Sequence, residues 1–277
     1  EKKFMMPAHC PADGSPIICD GVAYRCSNGE CGAVLERRLK HFVSRNAFNI
    51  EGLGPKIISR FLDEGLITDA ADIFTLNEGA IATLPQFGAL SAKNIVTEAA
   101  SKKNIPLSKF LYALGIMHVG EETARAIARH YENSFAGITN PSDIFSVLQK
   151  ESIEGLTSIL DIGPVIAQSI FAWLSEVKNK ELFSRLSFAG ITIAHENFRD
   201  TTGKLKGISF VLTGTLKSLS RDEAKEKIRA QGGTTSESVS KKTSYVVAGD
   251  EAGSKRAAAE KLGVPVLTEV EFLRLIG

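Results

Sequence analysis

Apolar positions along this chain change their rhythm twice. The first 35 residues are short-ranged and rich in turn formers, and they show no sustained period. From 36 to 198 the apolar residues fall at helical spacing, as in Leu39, Phe42 and Val43 (with Leu35 just before), then Ile57, Ile58, Phe61 and Leu62, then Ile166, Ile170, Phe171 and Leu174. Gly, Pro and Asn punctuate that region often enough to predict many short helices rather than a few long ones. The polar run Arg199-Asp200-Thr201-Thr202-Gly203-Lys204 predicts a linker. Beyond Gly207, Ile208, Phe210 and Leu212 alternate with their neighbours, and Tyr245-Val246-Val247-Ala248 and Val264-Pro265-Val266-Leu267 form further strand-like runs. Ser220-Arg221-Asp222-Glu223 is a capping box, Gly232-Gly233 ends the helix it opens, Ser254 to Leu262 predicts another helix, and Thr268-Glu269-Val270-Glu271 caps a last one. Strands alternating with helices predict a small α/β domain with a mainly parallel sheet.

Within the helical region one local pattern repeats. An apolar residue followed by Gly opens a predicted helix at Leu53-Gly54, Phe87-Gly88, Val119-Gly120 and Ile162-Gly163, and Ile58, Ala92, Ala124 or Ala167 stands four residues after the Gly. The four glycines are 34, 32 and 43 residues apart. This spacing predicts an array of helix–hairpin–helix units. Each turn presents the unbonded N–H groups of a helix start, which suit a phosphate oxygen. Four such turns predict a protein that holds a nucleic-acid backbone without reading bases.

Bulk composition narrows the field without choosing a function. The 277 residues are 43% hydrophobic and 23% charged, which is globular, and the length suits more than one domain. There is no apolar run long enough to span a membrane. The start, Glu1-Lys2-Lys3-Phe4, has neither Met nor the shape of a signal peptide, so a piece of a longer, cytoplasmic protein is expected. The net charge of +1 averages over a pattern. Residues 36–60 hold six Lys/Arg against two Glu, residues 61–202 eleven against seventeen Asp/Glu, and residues 203–256 eleven against six. Backbone binding in the acidic middle must therefore lean on N–H groups as well as on cations. Arg37, Arg38, Lys40 and Arg45 form the densest basic run, which suits either a phosphate contact or a solvated helix face.

All four cysteines lie between 10 and 31. Cys26-Ser27-Asn28-Gly29-Glu30-Cys31 puts two thiolates on one turn, and Cys10-Pro11-Ala12-Asp13-Gly14 has the shape of a metal knuckle with Asp in the second ligand position. Zinc favours four ligands at tetrahedral angles, typically two from each of two turns. Cys10, Asp13, Cys26 and Cys31 are the favoured set for a structural Zn2+. Cys19 is a rival fourth ligand and His9 a weaker one, and a disulfide or a set of free thiols remains open.

The order of these parts resembles the C-terminal part of bacterial NAD-dependent DNA ligase. The resemblance rests on the Cys cluster, Glu36-Arg37-Arg38-Leu39-Lys40-His41-Phe42-Val43-Ser44-Arg45, Ile50-Glu51-Gly52-Leu53-Gly54, Gly115-Ile116-Met117-His118-Val119-Gly120-Glu121-Glu122-Thr123-Ala124, Asp161-Ile162-Gly163-Pro164, and Phe210-Val211-Leu212-Thr213-Gly214-Thr215-Leu216. It covers the whole chain. It implies a multidomain protein: a zinc-finger module over 1–35, an all-α tandem helix–hairpin–helix domain over 36–198, a linker over 199–206 and an α/β BRCT domain over 207–277. Two departures stand out. Asp13 stands where the family usually has Cys, and Gln86 replaces the usual first Gly of a hairpin.

The resemblance implies a clamp on nicked double-stranded DNA in replication and repair. Gly52, Gly54, Gly88, Gly120 and Gly163 would face phosphates, and Lys56, Lys93, Arg125 and Arg129 would add ionic contacts. In BRCT domains that bind phosphate, the matching positions here are Thr213, Gly214 and Lys255. Adenylation needs a nucleophilic Lys held against the α-phosphate, and the resemblance places that Lys in a Lys-x-Asp-Gly motif. The pairs here, Asp13-Gly14 and Asp20-Gly21, have no Lys two residues before them. This stretch alone is therefore expected to have no catalytic residue and to use no NAD or Mg2+, which the resemblance assigns to another part of the enzyme. The expected state is a monomer near the nucleoid, with no membrane partner and with a protein partner possible through the BRCT domain. The alternative is a free-standing DNA-end adaptor that recruits a partner through that domain. A structure-specific nuclease subunit would need a carboxylate cluster for metal, and the acidic residues show none with useful spacing.

Overall fold

The computed structural model describes residues 5–21, 23–196, 198, 203–236, 238–250 and 253–277. The expected start at Glu1–Phe4 and the linker residues Arg199–Thr202 lie outside them. The chain divides into two compact units, Glu1–Glu196 and Asn197–Gly277.

The first unit begins with an antiparallel hairpin, β1 (Ile17–Asp20) and β2 (Ala23–Cys26), turned through Gly21 at φ +61°. Helix α1 (Gly32–Phe42) follows directly, so the expected module boundary at 35 falls inside a helix. Then come α2 (Pro55–Asp63), a 3-10 turn at Asp72–Thr75, α3 (Glu78–Ala82), α4 (Ala89–Ser101), β3 (Asn104–Pro106), α5 (Leu107–Ala113) and α6 (Glu121–His130). The unit closes with α7 (Pro141–Leu148), α8 (Ile153–Thr157), α9 (Pro164–Ser175), α10 (Val177–Phe188) and β4 (Thr192–Ala194).

Each long helix buries one stripe. Ala92, Ile95 and Ala99 do so on α4, Ala124, Ile127 and Ala128 on α6, and Ala167, Ile170 and Leu174 on α9. Aromatic rings link distant segments. Phe42 stacks on Phe48 with centroids 4.3 Å apart, Phe48 reaches Phe110, and Phe110 meets Phe183 edge-on at 5.4 Å. Arg185 on α10 reaches back to Asp72 at 2.6 Å and also to Asp69.

The expectation of an all-α region is corrected at one point. β3 and β4 pair in parallel, Ile105 opposite Ile193, and clasp the end of the unit to its middle. Strands of three residues are too short to display a two-residue period, so only the fold exposes the pairing.

The second unit is a four-stranded parallel sheet in the order β6-β5-β7-β8, built from β5 (Ser209–Thr213), β6 (Thr234–Ser236), β7 (Tyr245–Ala248) and β8 (Val266–Thr268). Helices α11 (Arg221–Ala230), α12 (Ser254–Leu262) and α13 (Glu269–Ile276) cover it. Alternation sets the faces. Phe210, Leu212 and Val247 pack with Ala224, Ile228, Phe272 and Ile276, whereas Val211 and Val246 pack with Ala259 and Val264. Ser220 and Thr268 form reciprocal capping boxes with Glu223 and Glu271, as their spacing predicts.

Two expectations shift here. β8 starts at Val266 rather than Val264, because Pro265 has no N–H to donate; its carbonyl accepts from Val246 N at 2.9 Å instead. The expected linker over 199–206 does not extend through Leu205. Leu205 is fully buried in the core of the second unit, and its N–H bonds Gln231 O at 3.0 Å. A single apolar residue in a polar run carries no periodic signal, which is why the sequence hides it.

Candidate nucleic-acid interface and metal site

The four repeated glycines occupy one structural position. Gly54, Gly88, Gly120 and Gly163 are the N-caps of α2, α4, α6 and α9, with φ/ψ of −66/168°, −109/170°, −85/179° and −86/171°. Their carbonyls each accept from the residue four positions on, Ile58, Ala92, Ala124 and Ala167, all fully buried. The residue before the Gly is buried in three turns, Leu53, Val119 and Ile162, and half-buried in Phe87. Two residues before each Gly the backbone is left-handed: Gly52 at φ +82°, Gln86 at +71°, His118 at +64° and Asp161 at +66°. The second turn thus keeps the shared backbone although Gln86 has replaced Gly. The resemblance marks Gln86 as standing in the first-Gly position, but nothing in the sequence pattern flags His118 and Asp161 as equivalents of Gly52; their φ values do.

These N-cap glycines have no internal reason to be glycine. Their φ is negative, which any residue adopts, and a Cβ built on any of the four meets nothing within 4 Å. Five other helices among the described residues are capped by side chains, at Asn77, Asn140, Ser152, Ser220 and Thr268, whereas α1, α5, α10 and α12 are not. The hairpins have no N-cap side chain. Ser91 Oγ takes the Gly88 N–H at 3.0 Å, Pro55 and Pro164 offer none at the first helical position, and the remaining first-turn N–H groups are left for an outside group.

The turns differ in charge. α2, α4 and α9 carry no acid in their first turn, but α6 carries Glu121 and Glu122, and Glu121 accepts from Asn46 Nδ2 at 2.6 Å. The first two hairpins share a cleft of about 640 Å³ whose lining includes Gly52, Lys56, Arg60, Gln86, Ser91 and Asn94. Lys56, Lys93 and Arg129 are exposed, whereas Arg125 is half-buried and lies 3.8 Å from Glu196. Arg60, absent from the sequence-based set, lines the cleft and pairs with Glu64 at 2.9 Å. In the basic run of α1, Lys40 bonds Glu36 at 2.5 Å.

The cysteine segment converges on one point. One ligand atom from each of Cys10, Asp13, Cys26 and Cys31 lies within 4.8 Å of all the others. Cys19 stays outside this group, exposed, with its thiol on Gly21 O. The spacing suits zinc. A tetrahedron with Zn–S of about 2.3 Å and Zn–O of about 2.1 Å has S···S and S···O edges of about 3.8 and 3.6 Å. Cys10 Sγ and Cys31 Sγ are 3.8 Å apart, and Cys26 Sγ is 3.6 Å from Asp13 Oδ1. Among the described residues from 5 to 31, only Cys10 and Cys31 are buried, so this segment has no apolar core of its own to hold it. Desolvation first, then the neighbouring thiols of Cys10 and Cys31 and the Asp13 carboxylate, push the Cys26 thiol up to about 11. A divalent cation would reverse that balance. The Ser15 N–H first, with the Asn28 amide and the Ser15 hydroxyl, holds the Asp13 carboxyl far below the usual range.

Comparison with known proteins places these features. The helix-hairpin-helix tandem family described as SAM-like matches residues 45–101, the helix-hairpin-helix motif family matches 109–183, and the BRCA1 C Terminus (BRCT) domain family matches 200–276. A DNA ligase of Koribacter versatilis is 42% identical over 279 residues, covering 100% of this chain and 40% of that protein. DNA ligases of Coxiella burnetii (strain CbuK_Q154) and Carboxydothermus hydrogenoformans are 41% and 40% identical over 278 and 279 residues. The chain is related to bacterial DNA ligases along its whole length. It spans about 40% of the length of these ligases.

Within the BRCT-matching unit, the three residues named from sequence have mixed settings. Thr213 is the last residue of β5 and is buried, and Lys255 is half-buried near the start of α12. Gly214 has a packing reason of its own: a Cβ there would lie 2.5 Å from Asp250 O, across the bridge that joins Thr215 to Asp250.

Proposed function

We propose that this chain is the DNA-holding, non-catalytic part of an NAD-dependent DNA ligase acting in replication and repair. Its hairpins hold the phosphates of nicked duplex DNA, while the remainder of the enzyme supplies the adenylated Lys, NAD and Mg2+. The chain itself acts as a monomer in the cytoplasm, and no helix among its described residues is long and apolar enough to cross a membrane. The observation that carries this reading is the set of four open, glycine-capped helix starts. Glycine at a position that neither φ nor internal packing demands is explained by a group that approaches from outside, and a phosphate oxygen fits the unbonded N–H groups there.

The hairpins divide the work. Gly54 and Gly88, with Lys56, Lys93 and Arg60, grip the backbone at the cleft of the first pair. Gly163 heads a helix, α9, that has no charged residue and binds through N–H groups alone. Gly120 sits beside Glu121 and Glu122, which oppose a phosphate unless Arg125 and Arg129 offset them. The cysteine segment is a structural zinc module, closed by four protein ligands with no open position for chemistry. The BRCT domain contributes a second contact through Thr213, Gly214 and Lys255, on DNA or on a protein partner.

Binding of this chain to nicked duplex, measured by fluorescence anisotropy across salt concentrations, tests the reading. Sequence-independent binding that weakens steeply with salt is expected. Affinity that is flat in salt, or absent at low salt, overturns it.

A further inference from the structure

We propose that Asn28 positions Asp13 as the single oxygen ligand of the zinc module, and that this carboxylate is the arm through which the ion enters and leaves. The proposal rests on the zinc reading of the cluster and adds a positioning residue and an exchange route to it.

Asn28 ties the two halves of the cluster together. Its backbone N–H donates to Cys26 Sγ at 3.4 Å, and its Nδ2 donates to Asp13 Oδ2 at 2.8 Å. Its own Oδ1 is held by Glu30 N at 2.9 Å, which fixes which end of the amide faces Asp13. Ser15 completes the cradle, donating its N–H to Asp13 Oδ1 and its hydroxyl to Oδ2, both at 3.0 Å. Both carboxylate oxygens are therefore oriented before a metal arrives. Outer-shell donors of this kind typically change metal affinity by roughly 10–100-fold when removed.

The ligands are not equally reachable. Cys10 and Cys31 are buried at 8% and 1% exposure, Cys26 is half-buried, and Asp13 is exposed. A carboxylate oxygen is also a harder ligand than a thiolate and holds zinc less firmly. The weakest and most exposed arm of the site is thus the same residue. Asp13 opens first, and the three thiolates retain the ion until a competing ligand takes it from that side.

The test uses the full chain loaded with zinc, with release into a chromogenic chelator, elemental analysis, and cobalt loading followed by its thiolate charge-transfer absorption. The wild type is expected to bind one zinc and to show a three-thiolate cobalt band. Asp13→Cys should slow release and raise that band by about one third, because four thiolates replace three. Asn28→Ala and Asn28→Asp should weaken zinc by roughly 10-fold or more while the three-thiolate band persists, a combination that a merely unfolded module would not give. Cys19→Ser should change nothing. Loss of band intensity in Cys19→Ser, unaltered release in Asp13→Cys, or unaltered affinity in both Asn28 variants overturns the proposal and leaves zinc binding standing. A wild-type chain that binds no zinc overturns both.

Discussion

Gly54 and Gly163 open helices α2 and α9 with nearly the same backbone, φ/ψ −66/168° and −86/171°, and both precede Pro at the first helical position. Neither has an atom within 4 Å of where a Cβ would sit. Serine at either place should therefore fold without strain and improve the cap, raising stability by a few tenths of a kcal/mol. The same change puts a side chain where the phosphate is proposed to sit. Gly54→Ser and Gly163→Ser are expected to melt slightly higher and to bind duplex DNA more weakly. Equal or stronger binding in both would refute the phosphate role of these turns.

The cleft between the first two hairpins concentrates Lys56 and Arg60. If each meets one phosphate, replacing both with Ala lowers the slope of log K against log salt by about 2. Replacing Val165, an exposed neighbour of the uncharged fourth turn, should leave the slope as it is. Titrations over a salt series distinguish these outcomes.

Left-handed backbone at Gln86 and His118 carries a cost that glycine avoids. Gln86→Gly and His118→Gly should each gain about 0.5 kcal/mol, since the relief is partly offset by the extra freedom of glycine in the unfolded chain. Gly52→Ala should lose about 1 kcal/mol. Its new Cβ would meet only Ile95 Cγ1 at an ordinary 3.7 Å, so the loss would come from φ alone. Urea denaturation of the three variants checks the signs.

Asp72, in the 3-10 turn after α2, is tied to Arg185 on α10 near the end of the helical unit. Its Oδ2 accepts from Thr68 N and Thr68 Oγ1, both at 2.7 Å, and Arg185 bonds its Oδ1. Burial raises the Asp72 carboxyl, but the Thr68 bonds, the Asp69 N–H and Arg185 outweigh it and leave the folded pKa below 3.8. A depressed carboxyl stabilises the fold above its unfolded pKa, and that stability fades as pH falls through the folded value. Asp72→Asn should cost about 1–2 kcal/mol at neutral pH. The gap to wild type should narrow once pH drops below about 4. Asp69 shifts the opposite way, chiefly through burial, so each variant must be compared with wild type at the same pH. A gap that stays constant down to acid pH would show that charge at Asp72 is not what holds the contact.

Much of this protein is determined locally. A helix start needs only a cap and an apolar stripe, so Gly54, Gly88, Gly120 and Gly163, and the boxes at Ser220 and Thr268, can be found from spacing within one turn. A buried parallel sheet needs β-branched and apolar runs, which Phe210–Leu212 and Tyr245–Val247 supply. Other features depend on residues far apart in the chain. The β3–β4 clasp joins residues 88 apart through strands too short to show a period. Leu205 becomes core only because Gln231 and the sheet lie against it. Sequence favoured Asp13 over Cys19 as the fourth metal ligand but left both open; the fold brings Asp13 to Cys26 and turns Cys19 to solvent. Local chemistry thus determined which groups are available, and the tertiary structure decided which of them meet, because meeting depends on the path of the whole chain rather than on any one turn of it.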